Sequence, residues 1–481
     1  MADQEPQSSH QDSEPSCCSF CNKLDIKKIF REKPFDFTGK FIVDLEHLNT
    51  VAAKPSCSFC QLLLSVAPPR EMGGNLSLRS YSFPRVYGAS DTRVVLGVIR
   101  GESEPLCGTQ YLCDTSDLGF CTLSGVSWDG NKRMTRGRRI EAGKINYNVF
   151  RTWLTNCKKY HKACHALLLP KPRKLRLIDC ETRAVGSLES HANYVALSYV
   201  WGEVSSNNLP LVNSRLPKRL PQTVEDAIKV TKELGFRYLW VDQYCINQED
   251  GEEKHRQIKQ MHCIYYHAQV TIVQGAGSDS NYGLPGVGNR HRNPQHAGTI
   301  QGYTLVSIGK SPREYIESSP WMARGWTYQE LFCSNELLIF TDFYVFFECH
   351  EAVWRETIES NITWESYDAI KSYSRLPMTN GLLGMQMYIG EYSTRKLTFD
   401  SDALNGFLGI FKMHEKTPHP FPHYWGIPVE QEDGVRVRRE NIKENCKSRI
   451  FVRPLLACMP SGPTEELFPV LVMDWFNLWF L

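Results

Sequence analysis

The sequence predicts an α/β fold in layers, built on a mostly parallel sheet, and three observations carry that prediction. Apolar runs rich in aromatic and β-branched residues recur at 194–201 (YVALSYVW), 238–246 (YLWVDQYCI), 269–273 (QVTIV), 336–340 (ELLIF) and 344–348. Between the first three, apolar residues step by three and four: Val224, Ala227, Ile228, Thr231 and Leu234, then Ile258, Met261, Tyr265 and Ala268. The run 238–246 is apolar almost without a break, as a central strand covered on both faces must be. Strands alternating with helices imply crossovers, and crossovers imply parallel pairing.

Residues 1–16 are polar and rich in Ser, Gln and Glu, a composition that cannot bury a core, so disorder is expected there. Two short cysteine pairs follow, Cys18-Ser-Phe-Cys21 and Cys57-Ser-Phe-Cys60, each leading into a helix-like stretch at 24–30 and 61–66. Together they offer four thiolates, the donor set of a tetrahedral Zn²⁺ site, and the repeated C-S-F-C makes chance a poorer explanation. Small thiols packed beside phenylalanine are the plainer alternative. Residues 67–148 read as short strands and turns, with 93–100 (RVVLGVIR) the clearest strand. Cys107, Cys113 and Cys121 have no ligand-type spacing, and the basic run 132–139 (KRMTRGRR) reads as solvated loop.

A helix is expected over 148–168, where Phe150, Trp153, Leu154, Cys157, His161, Cys164 and Leu168 make one apolar stripe. Core packing explains that stripe better than a metal held by Cys157, His161 and Cys164. A short strand at 175–179 leads into the alternating block, whose first helix has Thr223 as its expected cap and Gly235 as its stop. Beyond the block, 376–412 reads as mainly helical, with Ser401 capping a helix that carries Leu404, Phe407, Leu408 and Phe411. Residues 413–463 are rich in Pro and charge and read as loop.

A formal charge of +2 argues for neither nucleic acid nor acidic partners. No secretory signal opens the chain, and no apolar run reaches the ~20 residues of a membrane helix. The tail 467–481 comes nearest and is interrupted by Asp474 and Asn477. With 17 cysteines, such a chain is expected to keep reduced thiols in a cytoplasmic, soluble protein, with no disulfide frame.

In open α/β sheets ligands bind beyond the C-terminal strand ends, which nominates 198–202, 242–248 and 275–288. Asp242 lies inside an apolar run, so it is either a hydrogen-bond hub or a functional acid, and the hub is favoured. The glycine-rich 275–288 does not fit G-x-G-x-x-G, Cys245 has no demonstrable base, and no Walker loop, serine elbow or kinase signature is present. In 321–332 (WMARGWTYQELF), Trp326 and Glu330 stand four apart and share one helix face.

The chain resembles the fungal heterokaryon-incompatibility (HET) domain in ordered blocks spread over about a third of its length. They begin with Tyr194-Val-Ala-Leu-Ser-Tyr-Val-Trp-Gly202 and Leu220-Pro-Gln-Thr-Val-Glu-Asp-Ala227, and are closest at Tyr238-Leu-Trp-Val-Asp-Gln-Tyr-Cys-Ile-Asn-Gln248. They continue at Gln260-Met261, Ile264-Tyr265, Gly283-Leu284 and Arg324-Gly-Trp-Thr-Tyr-Gln-Glu330. The cysteine pairs, the Trp153…Cys157…His161…Cys164 segment, Tyr392-Ser-Thr-Arg-Lys-Leu-Thr398 and Asp402-Ala-Leu-Asn405 also resemble segments that flank such domains. The ending departs from the Trp-rich close often seen in these proteins, so a truncated or altered tail is expected.

The resemblance implies a fungal nonself-recognition protein whose activation leads to programmed cell death, by assembly or by contact with a protein partner. HET domains are in turn similar to TIR domains, a flavodoxin-like α/β fold in which some members cleave NAD⁺. Enzymatic TIR domains carry W-x-x-x-E with the glutamate catalytic, and Trp326-Thr-Tyr-Gln-Glu330 fits that pattern, although a longer insertion separates it from the preceding strand. That alternative makes the chain an NAD⁺ glycohydrolase with NAD⁺ as substrate, Glu330 as catalytic carboxylate and Ser198, Trp201, Asp242 and Trp326 around the pocket. One fixed carboxylate suffices for such chemistry, because the pyridine leaves neutral from a cationic reactant through an oxocarbenium-like transition state. In the other reading Glu330 is structural and paired with an arginine such as Arg324. The expected division is a tail at 1–16, a Cys-containing region at 17–148, a helix and connector at 149–192, the HET domain at 193–348 and a mainly helical region at 349–481.

Overall fold

The computed structural model describes residues 17–32, 39–48, 56–68, 74–82, 94–100, 120–124, 136–187, 192–202, 211–310, 312–359, 381–417, 423–424 and 427–428. The tails at 1–16 and 467–481, Cys107, Cys113 and most of 413–463 lie outside these residues, as does the first half of the basic run 132–139.

The first sheet is antiparallel throughout. It contains β1 (Lys40–Asp44), β2 (Leu76–Ser82), β3 (Val94–Arg100) and β4 (Phe120–Leu123), and a small ladder joins β5 (Arg136–Gly137) to the later β16 (Ile358–Glu359). The second sheet begins with β6 (Arg176–Asp179), β7 (Val185–Ser187), β8 (Tyr194–Ser198), β9 (Tyr238–Trp240) and β10 (Thr271–Gln274). The chain then returns to the first sheet for β11 (Ala297–Ile300) and β12 (Tyr303–Gly309), where β12 pairs with β4, Leu305 opposite Leu123. It ends in the second sheet with β13 (Glu336–Phe340), β14 (Val345–Cys349) and β15 (Val353–Arg355).

The second sheet runs β15-β14-β13-β10-β8-β9-β6-β7. Its four inner strands, β13, β10, β8 and β9, are parallel, while the flanking pairings are antiparallel. The expectation of a mostly parallel sheet is therefore corrected to a mixed α/β architecture whose sheets are mainly antiparallel. Connection length gives the reason. β8 reaches β9 through the helix Gln222–Glu233, and β9 reaches β10 through Gly251–Lys259 and Met261–His267, long enough to cross over. β13–β14, β14–β15 and β6–β7 are joined by a few residues each and can only turn back.

Several boundaries shift for identifiable reasons. The run 238–246 is a strand only to Trp240; a short helix, Asp242–Cys245, follows, and Asp242 Oδ1 accepts from the Gln243 N–H at 2.7 Å. Gln222–Glu233 is capped by Pro221, and the Thr223 hydroxyl instead accepts from the Gly283 N–H at 3.1 Å. Gly235, at φ 87°, does stop that helix. The second helical stretch is broken at Gln260, and 321–332 is broken at Arg324 into Pro320–Ala323 and Gly325–Cys333. The stripe at 148–168 is a helix only from Tyr147 to Tyr160, followed by a 3-10 turn at Ala163–His165. Ser401 sits in a 3-10 turn, and the helix Asn405–His414 starts without a side-chain cap.

Gly325–Cys333 is the most enclosed helix of the second layer. Leu331 joins Val273, Ile339, Phe346 and Trp321 in one core, while Tyr328 and Phe332 face a larger one with Tyr388 and Phe407. Every residue of this helix but Trp326 is buried, Thr327, Gln329 and Glu330 included, so the fold surrounds it. Among the described residues no helix is long and apolar enough to cross a membrane.

Candidate functional site

The C-terminal ends of β8 and β9 converge on one polar cluster beneath Gly325–Cys333. Ser198 ends β8, and its Oγ accepts from the indole N–H of fully buried Trp321 at 2.7 Å. An indole can only donate, so the serine's own proton is left for another acceptor. The Glu330 carboxyl lies beside that serine and beside Tyr265, while the Tyr265 hydroxyl itself donates to the Leu197 carbonyl at 3.3 Å. Glu330 is only 5% exposed, and burial, reinforced by the charge of Asp242, pushes its carboxyl up to about 7. Asp242 lies half-buried past the end of β9, where it receives the Trp201 indole N–H at 3.1 Å. Burial raises it to about 6, against the opposing pull of the Gln243 amide and the Arg324 charge. Arg324 lowers both carboxyls and donates to the Tyr199 carbonyl at 3.5 Å.

The structure thus brings Ser198, Trp201, Asp242, Arg324 and Glu330 together. Trp326 goes elsewhere: half-buried, it donates its indole N–H to Asp402 at 3.3 Å, toward the C-terminal helices. Tyr265 was missed by sequence reasoning as a site residue because it read only as the inner face of a helix. Both carboxyls, one sealed in and one at the edge, lie above the ordinary carboxylate range. The sealed one faces Ser198 and Tyr265 and the charges of Asp242 and Arg324.

The glycine-rich 275–288 closes over the other helix of this end. The Asp226 carboxylate, 2% exposed, accepts from the Leu284 N–H and from Gln222 Nε2, both at 2.8 Å. A Cβ on Gly288 would lie 2.5 Å from Asp226 Oδ1, and one on Gly283 2.8 Å from Oδ2, so the loop docks only without side chains there. Asp226→Ala is expected to cost roughly 2 kcal/mol, because the buried Leu284 amide and the half-buried Gln222 side chain lose their acceptor. Thermal melting checks this, and an unchanged midpoint with unchanged amide protection at Leu284 would contradict it.

The cysteine pairs meet in space. Cys60 Sγ lies 3.7 Å from Cys18 Sγ and 3.4 Å from Cys21 Sγ, and Cys57 Sγ lies 3.8 Å from Cys21 Sγ. Tetrahedral Zn–S bonds of about 2.3 Å place sulfurs about 3.8 Å apart, so these four residues can hold a metal ion. The Cys21 amide points at Cys18 Sγ at 3.5 Å, and His47 Nε2 lies 3.5 Å from Cys60 Sγ, outer contacts of the kind that orient ligands.

Residues 194–330 match the family model described as Heterokaryon incompatibility protein (HET). A curated relative, "Heterokaryon incompatibility protein 6, OR allele" of Neurospora crassa, is 38% identical over 104 residues, covering 18% of this chain and 15% of that protein. The chain thus spans a small fraction of that relative's length. No solved structure matches the chain. The matched span opens on β8 and closes on Glu330, enclosing the whole polar cluster, and over residues 194–330 the chain carries a HET domain.

Proposed function

We propose that this chain acts in fungal heterokaryon (vegetative) incompatibility, a nonself-recognition role. In this reading its α/β domain promotes programmed cell death in the cytoplasm, by assembly or by contact with a protein partner. The HET match and the Neurospora relative's name support the biology. The inner strands lie in the chain order second, first, third, fourth, as in flavodoxin-like layers, which supports the TIR-like reading of the domain. Cys18, Cys21, Cys57 and Cys60 are proposed to hold a structural Zn²⁺ beside it.

The observation that carries a non-enzymatic mode is the burial of Glu330. A carboxylate that stabilises an oxocarbenium must be charged and must face substrate. Glu330 is enclosed, and its own burial favours the neutral acid, which suits a hydrogen-bond hub. Glutamine has the shape and much of the hydrogen-bonding capacity of that neutral acid. In fungal cells expressing the chain, death is expected with wild type and Glu330→Gln and is expected to weaken with Glu330→Ala. Purified protein incubated with NAD⁺ should release no nicotinamide. Nicotinamide release by wild type alone, with Glu330→Gln as inert as Glu330→Ala, would replace this reading with NAD⁺ cleavage by Glu330.

A further inference from the structure

A second cluster of metal-ligand residues lies far from the cysteine pairs. The helix Tyr147–Tyr160 ends at His161, whose extended backbone (φ −97°, ψ 98°) breaks the apolar stripe, and the turn Ala163–His165 carries Cys164 back beneath it. There Cys164 meets Cys157 of the helix and Cys349, the last residue of β14. All four side chains are buried, with His161 the most exposed at 3%.

The distances are those of a closed tetrahedral site. Cys157 Sγ and Cys164 Sγ are 3.6 Å apart, and Cys349 Sγ is 3.3 Å from His161 Nδ1. The four ligand atoms all lie within 4.8 Å of one another. Zinc bonds of about 2.3 Å to sulfur and 2.0–2.1 Å to nitrogen require separations of about 3.8 and 3.5 Å. A sulfur separation of 3.6 Å is no disulfide, and these cysteines are free. The surroundings are arranged for a thiolate and a fixed ring. The Glu351 and Ala352 amides donate to Cys349 Sγ at 3.4 and 3.2 Å, and the His161 ring stacks on Trp354 with centroids 5.2 Å apart.

We propose that Cys157, His161 through Nδ1, Cys164 and Cys349 form a second, structural Zn²⁺ site. The ion joins a helix that precedes the HET match to a strand that follows it. Three thiolates and one imidazole fill a tetrahedron, so the site is a cross-link with no open position for substrate. It fastens Tyr147–Tyr160 over the β14–β15 edge of the central sheet, where Trp153, Phe347 and Trp354 already pack together.

The test is the zinc content of the full chain, purified under reducing conditions without chelator and measured by plasma mass spectrometry. Two zinc ions per chain are expected, falling to one in Cys349→Ser, one in Cys60→Ser and none in the double variant. A wild type holding one zinc that Cys349→Ser does not remove overturns the proposal, and so does a wild type holding none. Should Cys349→Ser not fold, His161→Cys keeps four ligands. In its Co²⁺-loaded form, thiolate-to-cobalt absorption should strengthen and the visible bands shift to longer wavelength, relative to Co²⁺-loaded wild type. Identical spectra overturn the proposal.

Discussion

Replacing Cys60 with serine is expected to remove the N-terminal metal and to loosen the first sheet more than the loss of any single apolar side chain would. Cys60 is in contact with two of the other three thiols and with His47, so it is the donor the other groups converge on. The elements fastened there are short: the turn Cys21–Lys23 and the helices Ile26–Arg31 and Ser58–Ser65, which have six and eight residues. Helices of that length do not persist alone in water. Structural zinc sites in small domains bind with about 10–16 kcal/mol, against about 2–5 kcal/mol for truncating a buried leucine. The loss should spread, because the Ser58 hydroxyl accepts from the Thr299 N–H at 3.1 Å and so ties the site to β11. Hydrogen exchange should quicken in β1–β4, β11 and β12, both in Cys60→Ser and in wild type treated with chelator, while β8–β10 stay protected. Unchanged zinc content and unchanged protection in Cys60→Ser would contradict the assignment.

What was legible in the sequence was local. The strand Glu336–Phe340 and the paired cysteines could be read because an apolar run and a repeated C-S-F-C each carry their signal within a few residues. The return of β11 and β12 to the first sheet could not be read, since Leu305 opposite Leu123 is a pairing that no periodicity encodes. Cys349 escaped for the same reason: it lies 188 positions from the histidine it meets. Asp242 was misplaced inside a strand because its apolar neighbours dominate the pattern, whereas its carboxylate takes the next amide and starts a helical turn. Trp326 and Glu330 do lie four apart on one helix, but that helix is enclosed by the sheet and by the C-terminal helices. Spacing therefore did not give them a common partner, and Asp402 takes one while Ser198 and Tyr265 take the other.

Glu330→Gln should flatten the dependence of stability on pH, and the sign follows from the direction of the shift. The carboxyl sits at about 7 in the folded chain against an ordinary 4.5, chiefly because burial disfavours its charge. Between those values the folded state holds a proton that the unfolded state has released, so stability falls as pH rises through the window and is level above it. The full difference is about 3 kcal/mol at 1.36 kcal/mol per pH unit. Asp242, raised to about 6, adds a contribution of the same sign that the glutamine variant keeps. Glutamine carries no proton to lose, so wild type and Glu330→Gln should unfold at similar urea concentrations at pH 5. At pH 8 the variant should be the more stable by up to about 3 kcal/mol. Glu330→Ala behaves differently: it opens a cavity beside buried Ser198 and Tyr265, costing about 2–4 kcal/mol at pH 5, and the deficit against wild type shrinks by about 3 kcal/mol at pH 8 because alanine carries no proton either. Urea midpoints of the three chains at pH 5 and pH 8 measure all of this. A glutamine variant less stable than wild type at pH 8 would mean that the buried carboxylate is held as an anion, with its cluster organised around a charge instead of a neutral acid.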